Sequence, residues 1–144
     1  MPDVTAAPLP SPLDVIPHRP PFLYLDRVLT CGPDLIVGEH TFPAETPFFA
    51  GHFPGRPIVP GVILLEGLAQ TLAYGVLLVA GGDRPVLLGG LDRVKFRHAV
   101  GPGATVTYEI RPTRTLLGVT TATGTVRVGE AVAVSAVVKG YLGR

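Results

Sequence analysis

The chain has 144 residues, enough for one domain that buries roughly two-thirds of its unfolded surface and too few for two comfortable ones. Hydrophobic residues make up 47% and charged residues only 16%, with 18 Gly and 16 Pro; this excludes a disordered chain and describes a buried, turn-rich one whose charge-poor surface suits oligomerisation. A formal net charge of +1, with no basic tail and no interleaved aromatic and basic residues, gives no electrostatic basis for nucleic-acid binding.

Residues 1–12 are rich in proline and are expected to form a flexible tail, with a single domain over 13–144. The tail has neither the positive n-region nor the apolar h-region of a secretory signal. Residues 13–21 suggest a short helical turn ending at His18-Arg19-Pro20-Pro21, residues 23–29 a first strand, and residues 35–42 a second strand after the Gly32-Pro33-Asp34 turn. Cys31 is the only cysteine, so no internal disulfide can form, and it lacks any local signature of a nucleophile. A lone thiol and the missing signal together fit a cytoplasmic protein. Phe48, Phe49 and Phe53 crowd around His52, as walls of a pocket or as plain core.

The most informative stretch is GHFPGRPIVPGVILLEGLAQ, residues 51–70. Pro54, Pro57 and Pro60 stiffen the loop after His52. The Pro60-Gly61 step then opens a helix whose first amide N–H groups lack intrahelical partners and suit a developing oxyanion. Residues 62–79 are apolar almost throughout, which describes a buried helix. Its polar exceptions Glu66, Gln70 and Tyr74 recur at i, i+4 and i+8 and share one stripe. That stripe either faces solvent or is packed, and a packed Glu66 among Leu64, Leu65 and Leu68 must be paired, hydrogen-bonded or protonated. Length alone raises the question of a membrane span, but Glu66, Gln70, two glycines and the missing flanking anchors favour a buried helix and no membrane.

After a turn at Gly81-Gly82-Asp83-Arg84-Pro85, the runs 86–100, 105–111, 116–128 and 131–142 are rich in Val, Thr and Leu. Gly101-Pro102-Gly103, Arg111-Pro112-Thr113 and Val128-Gly129-Glu130 separate them as turns. Val106, Tyr108 and Ile110 alternate with Thr105, Thr107 and Glu109 as in a half-buried antiparallel strand. One long apolar helix with several antiparallel strands is an α+β fold, the sheet wrapped around the helix. In the first of these runs Arg93, Lys95 and Arg97 share a face by the two-residue period, which suits either a solvated surface or docking of an acidic partner. His18, His40 and His98 have no metal-ligand spacing and are taken as structural; no metal and no cofactor are expected.

His52-Phe53-Pro54-Gly55-Arg56-Pro57-Ile58-Val59-Pro60-Gly61-Val62, followed by Glu66 and Ala69-Gln70, resembles the active-site segment of the FabZ family, 3-hydroxyacyl-carrier-protein dehydratases with a hotdog fold. Ile16-Pro17-His18-Arg19-Pro20-Pro21-Phe22-Leu23 with Asp26-Arg27-Val28 is similar to the family's opening, and Leu91-Asp92-Arg93-Val94-Lys95-Phe96-Arg97 to its third strand. The resemblance implies a hotdog fold and β-elimination of water from a 3-hydroxyacyl thioester on acyl carrier protein. It implies His52 as base, the Gly61 amide as oxyanion donor and Glu66, with a raised pKa, as the group that protonates or orients the departing hydroxyl. It further implies a homodimer whose site joins His52 of one chain to Glu66 of the other, a hexamer built as a trimer of dimers, and a docking role for Arg93, Lys95 and Arg97. Phe48, Phe49, Ile58, Val59 and Leu88 are candidates to line an acyl tunnel, although Leu87-Leu88-Gly89-Gly90 stands where the family often has an aromatic residue. Two other readings remain open: a hotdog thioesterase, against which His52 counts, and a noncatalytic subunit that binds acyl chains or carrier protein.

Overall fold

Gly61–Ala80 forms the central helix, α2, within one residue of the span expected at either end. Pro60 precedes it as N-cap, where a missing N–H costs nothing, and the N–H of Gly81 closes its last turn on the Leu77 carbonyl at 2.7 Å. The helix has the length and apolarity of a membrane span, with mean hydropathy 1.9, yet 61% of its most apolar window is buried inside the protein as the core helix. The computed structural model describes residues 8–82 and 84–143.

The strands β1 (Arg27–Cys31), β2 (Ile36–Thr41), β3 (Val86–Phe96), β4 (Thr105–Leu116), β5 (Val119–Val128) and β6 (Ala131–Leu142) form one antiparallel sheet in the order β1-β2-β4-β5-β6-β3. A short helix, α1 (Phe48–Gly51), lies between β2 and α2. The alternation that marked 105–110 holds: Val106, Tyr108 and Ile110 are buried, as are Ala122, Gly124 and Val126 on β5 and Val134, Ala136 and Val138 on β6. These residues face Leu64, Leu65, Leu68, Leu72 and Leu77 of α2 in a single core, with the sheet curled around the helix. This is the expected α+β hotdog arrangement.

Gly67 is where helix and sheet come closest. A Cβ there would stand 2.1–2.3 Å from the Tyr108 ring and hydroxyl, and an aromatic ring on a central strand cannot swing aside. Gly67→Ala is therefore expected to cost about 1–3 kcal/mol, as overpacking does, read as a lower denaturant midpoint with an unchanged m-value.

Several expected boundaries shift for identifiable reasons. The first strand begins at Arg27 rather than at residue 23, because the Tyr24 N–H is taken by the Gln70 side chain instead of a neighbouring strand. Pro112 lies inside β4 and not at a turn. β2 ends its pairing at Ile110, leaving that edge of β4 open, and a bulge between Pro112 and Arg114 absorbs the irregularity. The reversal comes at Leu117-Gly118, both with positive φ (53° and 80°). β3 stops at Phe96, short of residue 100, because Arg97 and His98 both turn their N–H groups to the Ala133 carbonyl. The tail expected over 1–12 lies outside the described residues for 1–7. Its remainder is in contact with the core: the Tyr74 hydroxyl donates to the Pro10 carbonyl at 2.7 Å and Pro12 is buried. Asp83, in the expected 81–85 turn, is also outside the described residues.

Candidate active site

The loop between α1 and α2 brings His52 to the start of the core helix. Phe53 and Arg56 exchange backbone hydrogen bonds (3.0 and 2.8 Å), the Ile58 N–H donates to the His52 carbonyl (2.9 Å), and the Val59 N–H donates to the Val100 carbonyl (2.8 Å). The His52–Phe53 peptide bond is cis, and the two rings stack at 4.0 Å. The imidazole is held through Nδ1, 3.1 Å from the Ile58 carbonyl oxygen. A carbonyl can only accept, so Nδ1 carries a hydrogen, and in the tautomer this selects Nε2 keeps its lone pair.

His52 opens onto a cavity of about 550 Å³ that is also lined by Ile58, Val59, Pro60, Gly61, Phe96, Arg97 and His98. The first turn of α2 borders this space. The Ile63 and Leu64 N–H groups donate to the Pro60 carbonyl (2.9 and 3.4 Å), but the Gly61 and Val62 amides have no intrahelical acceptor and Pro60 brings no side-chain cap, so the positive helix end is available to an anion. Gly61 has to be small for a contact reason: a Cβ would stand 2.5 Å from the Phe96 ring, which lies across the helix start.

Glu66 does not line this cavity. Five residues along a helix is a rotation of about 140° from Gly61, so its carboxyl emerges on another side. There it meets the polar stripe, which is packed and not solvent-facing: Gln70 and Tyr74 are fully buried. The Gln70 amide is completely used. Its oxygen accepts from the Tyr24 N–H (2.8 Å), and its nitrogen donates to the Phe22 carbonyl (3.1 Å) and to Glu66 Oε2 (2.9 Å). Burial pushes the Glu66 carboxyl above its ordinary pKa, and the Gln70 hydrogen bond offsets only part of that rise. Gln70→Leu would strand the Tyr24 N–H and the Phe22 carbonyl. The expected loss is about 1–3 kcal/mol, chiefly from the buried Tyr24 N–H left unpaired, since the Phe22 carbonyl is only part-buried, measurable by urea denaturation.

Residues 16–137 match the family of FabA-like domains. The chain is 44% identical over 107 residues to the 3-hydroxyacyl-[acyl-carrier-protein] dehydratase FabZ of Chloroflexus aggregans, a match covering 73% of this chain and 74% of that protein. The chain belongs to the FabZ family. A second FabZ relative, from Thermotoga petrophila, is 38% identical over 122 residues, covering 85% of this chain and 88% of the other. Among solved structures, the dehydratase heterocomplex ApeI:P from Xenorhabdus doucetiae superposes with a TM-score of 0.82 over 94% of this chain and 92% of that one. At 17% identity that likeness shows the fold alone.

Within this FabZ chain the expected residues fall into separate groups. His52, Gly61, Ile58 and Val59 share the cavity. Phe48 and Phe49 stack edge-on at 4.8 Å, and Phe49 lines a different groove with Pro47 and Phe53. Leu88 sits on the exposed edge strand near Ala69 and Leu72, away from His52. The basic face does not form as spacing suggested. A bulge sets Asp92 opposite Val137 and Lys95 opposite Ser135, so Lys95 shares the face of Asp92, while Arg93 has a left-handed backbone (φ 51°). Of the three, Arg97 alone lines the His52 cavity. Sequence reasoning did not select Phe96, whose only sign was its place beside that basic run. It also took His18 as structural, whereas His18 Nε2 stands 3.7 Å from Glu66 Oε2.

Proposed function

We propose that this protein removes water from a (3R)-3-hydroxyacyl thioester carried on acyl carrier protein, giving the trans-2-enoyl thioester for fatty-acid or related polyketide synthesis. The reading is supported by the names of the FabZ relatives. The observation that carries it is His52, with Nδ1–H fixed on the Ile58 carbonyl and no partner on Nε2 among the described residues, in the same cavity as the open start of α2.

In this mechanism His52 Nε2 takes a proton from C2 of the acyl chain. The thioester oxygen gains enolate character against the Gly61 amide, and the C2–C3 double bond forms as the C3–O bond breaks. Glu66 gives its proton to the departing hydroxyl, which leaves as water. The proton gained by His52 and the one lost by Glu66 are then exchanged with solvent, which restores both groups.

Because Glu66 is turned away from the His52 cavity of its own chain, the complete site joins His52 and Gly61 of one protomer to Glu66 of its partner. The outer edge of β3, the last strand of the sheet, carries exposed Leu87, Leu88 and Leu91 and would pair with a second copy. Such pairing would bring Leu88 towards the partner. A trimer of dimers rests on family likeness alone. Arg97 at the cavity mouth, with Arg93 and Lys95 on the adjoining strand, suits the phosphate of a pantetheine arm or an acidic carrier protein. The proposed compartment is the cytoplasm.

The test is to incubate the purified protein with a 3-hydroxyacyl carrier-protein substrate while following both the conjugated enoyl thioester and free thiol. Enoyl product without thiol is expected. Thiol without enoyl product would make this a thioesterase, and neither product would make it a binding subunit.

A further inference from the structure

His18 has a defined relation to Glu66 that the dehydratase scheme leaves unused. The histidine lies in the segment after the 3-10 turn Pro12–Asp14, and that segment is pinned on both sides. The Arg19 guanidinium folds back over its own backbone, donating to the carbonyls of Ile16 (2.9 Å), His18 (2.6 Å) and Leu13 (2.9 Å). A few residues on, Gln70 holds the Phe22 carbonyl and the Tyr24 N–H. The ring is thus presented to α2 by a fixed backbone, with His18 and Glu66 side chains both 20% exposed.

The two ring nitrogens differ in surroundings. Nδ1 is buried and without a hydrogen-bond partner among the described residues, while Nε2 faces Glu66 Oε2 at 3.7 Å. Burial, with the Arg19 charge beside it, lowers the His18 pKa, so the ring is neutral and carries one hydrogen. A carboxyl oxygen in front of Nε2 favours that hydrogen there and not on Nδ1. At 3.7 Å the N–H does not yet make a hydrogen bond, and a shift of under about 1 Å would complete one.

Oε2 of Glu66 is therefore flanked by Gln70 Nε2–H at 2.9 Å and by His18 Nε2–H, while no protein group bonds Oε1 among the described residues. We propose that His18 is a positioning residue for Glu66: with Gln70 it reserves Oε2 for the protein, so that Oε1 carries the proton given to the leaving hydroxyl, and its N–H closes on Oε2 as the carboxylate forms. The proposal rests on the dehydratase reading for its catalytic consequence and on geometry alone for the pairing.

The titratable and charged groups around this pair are Arg19 beside His18, Tyr24 after it, and Tyr108 on β4, which is itself close to Asp26. Both tyrosines are raised from their usual range by burial first and then by neighbouring carboxylates, so they stay neutral near pH 7. Glu66 is the group whose titration His18 should alter.

The experiment compares the native protein with His18→Leu, which fills the space without a donor, and His18→Gln, whose amide N–H reaches about as far. The Glu66 carboxyl is titrated by carbon NMR in all three, and kcat and KM for enoyl formation are measured against pH. In His18→Leu the Glu66 midpoint is expected to rise by about one unit, since a donor to the charged form has gone. kcat is expected to fall about tenfold with little change in KM, and the alkaline limb of the kcat profile to move up with the Glu66 midpoint. His18→Gln should recover most of both. An unchanged Glu66 midpoint in His18→Leu, equal impairment of the Leu and Gln variants, or a loss confined to KM would overturn the proposal. If the native protein forms no enoyl product, the dehydratase reading fails while the titration still decides the pairing.

Discussion

His52→Ala is expected to lower kcat for enoyl formation by about 10³-fold or more, the upper range of what a positioned general base contributes. The fold should survive, because the His52 ring is half-exposed at a cavity rim and gives up only its contact with the Ile58 carbonyl and its stacking on the exposed Phe53 ring. His52→Asn separates the two functions of the ring. An amide N–H could still donate to Ile58, but it offers no basic nitrogen to C2, so the Asn variant should melt like the native protein and be about as inactive as the Ala variant. kcat at saturating substrate, with circular-dichroism melts of the same samples, gives the comparison. Activity within tenfold of native in either variant would remove His52 from the chemistry and make its Ile58 hydrogen bond a loop brace only.

The parts of this structure legible in the sequence are those set by local pattern. The apolar run of α2 and its Pro-Gly start marked the helix within one residue, and the alternating residues of β4 and the closing strand Ala131–Leu142 were equally plain. Errors gathered where a distant side chain or a bulge overrides local pattern. Tyr24 reads as strand, but Gln70, 46 residues later, claims its N–H. Arg111-Pro112-Thr113 reads as a turn, but the missing partner on one edge of β4 makes proline tolerable there. Arg93, Lys95 and Arg97 read as one face until an extra residue reverses the phase between Asp92 and Lys95. The same limit applies to the candidate site. His52, Gly61 and Glu66 stand within fifteen residues and could be selected by chemistry and family likeness. His18 lies far from Glu66 in sequence, and no spacing rule connects them.

Two inactive variants should restore activity when mixed. Glu66→Gln keeps the size of the side chain and an oxygen able to accept from Gln70, yet it has no acidic proton to give, so alone it should be about as inactive as His52→Ala. If each site takes His52 from one protomer and Glu66 from the other, a mixed dimer contains one site with both native residues and one with neither. Equal amounts, unfolded together and refolded, put half of the dimers in the mixed form. Activity should therefore return to about a quarter of native, as two-fold symmetry requires. Sites contained within single chains would give no recovery at any mixing ratio. The Gln variant makes a separate statement about stability. The folded Glu66 pKa is raised, so its protonated form favours the folded state. That stability is complete below the ordinary glutamate pKa and is lost as pH rises through the folded value. Glu66→Gln removes this penalty and should melt higher than the native protein at neutral pH, with the difference vanishing below about pH 4, where an ordinary glutamate is protonated in both states. A variant both inactive and more stable is what a carboxyl held in place for chemistry predicts. A carboxyl that served the fold would instead lose stability with the substitution.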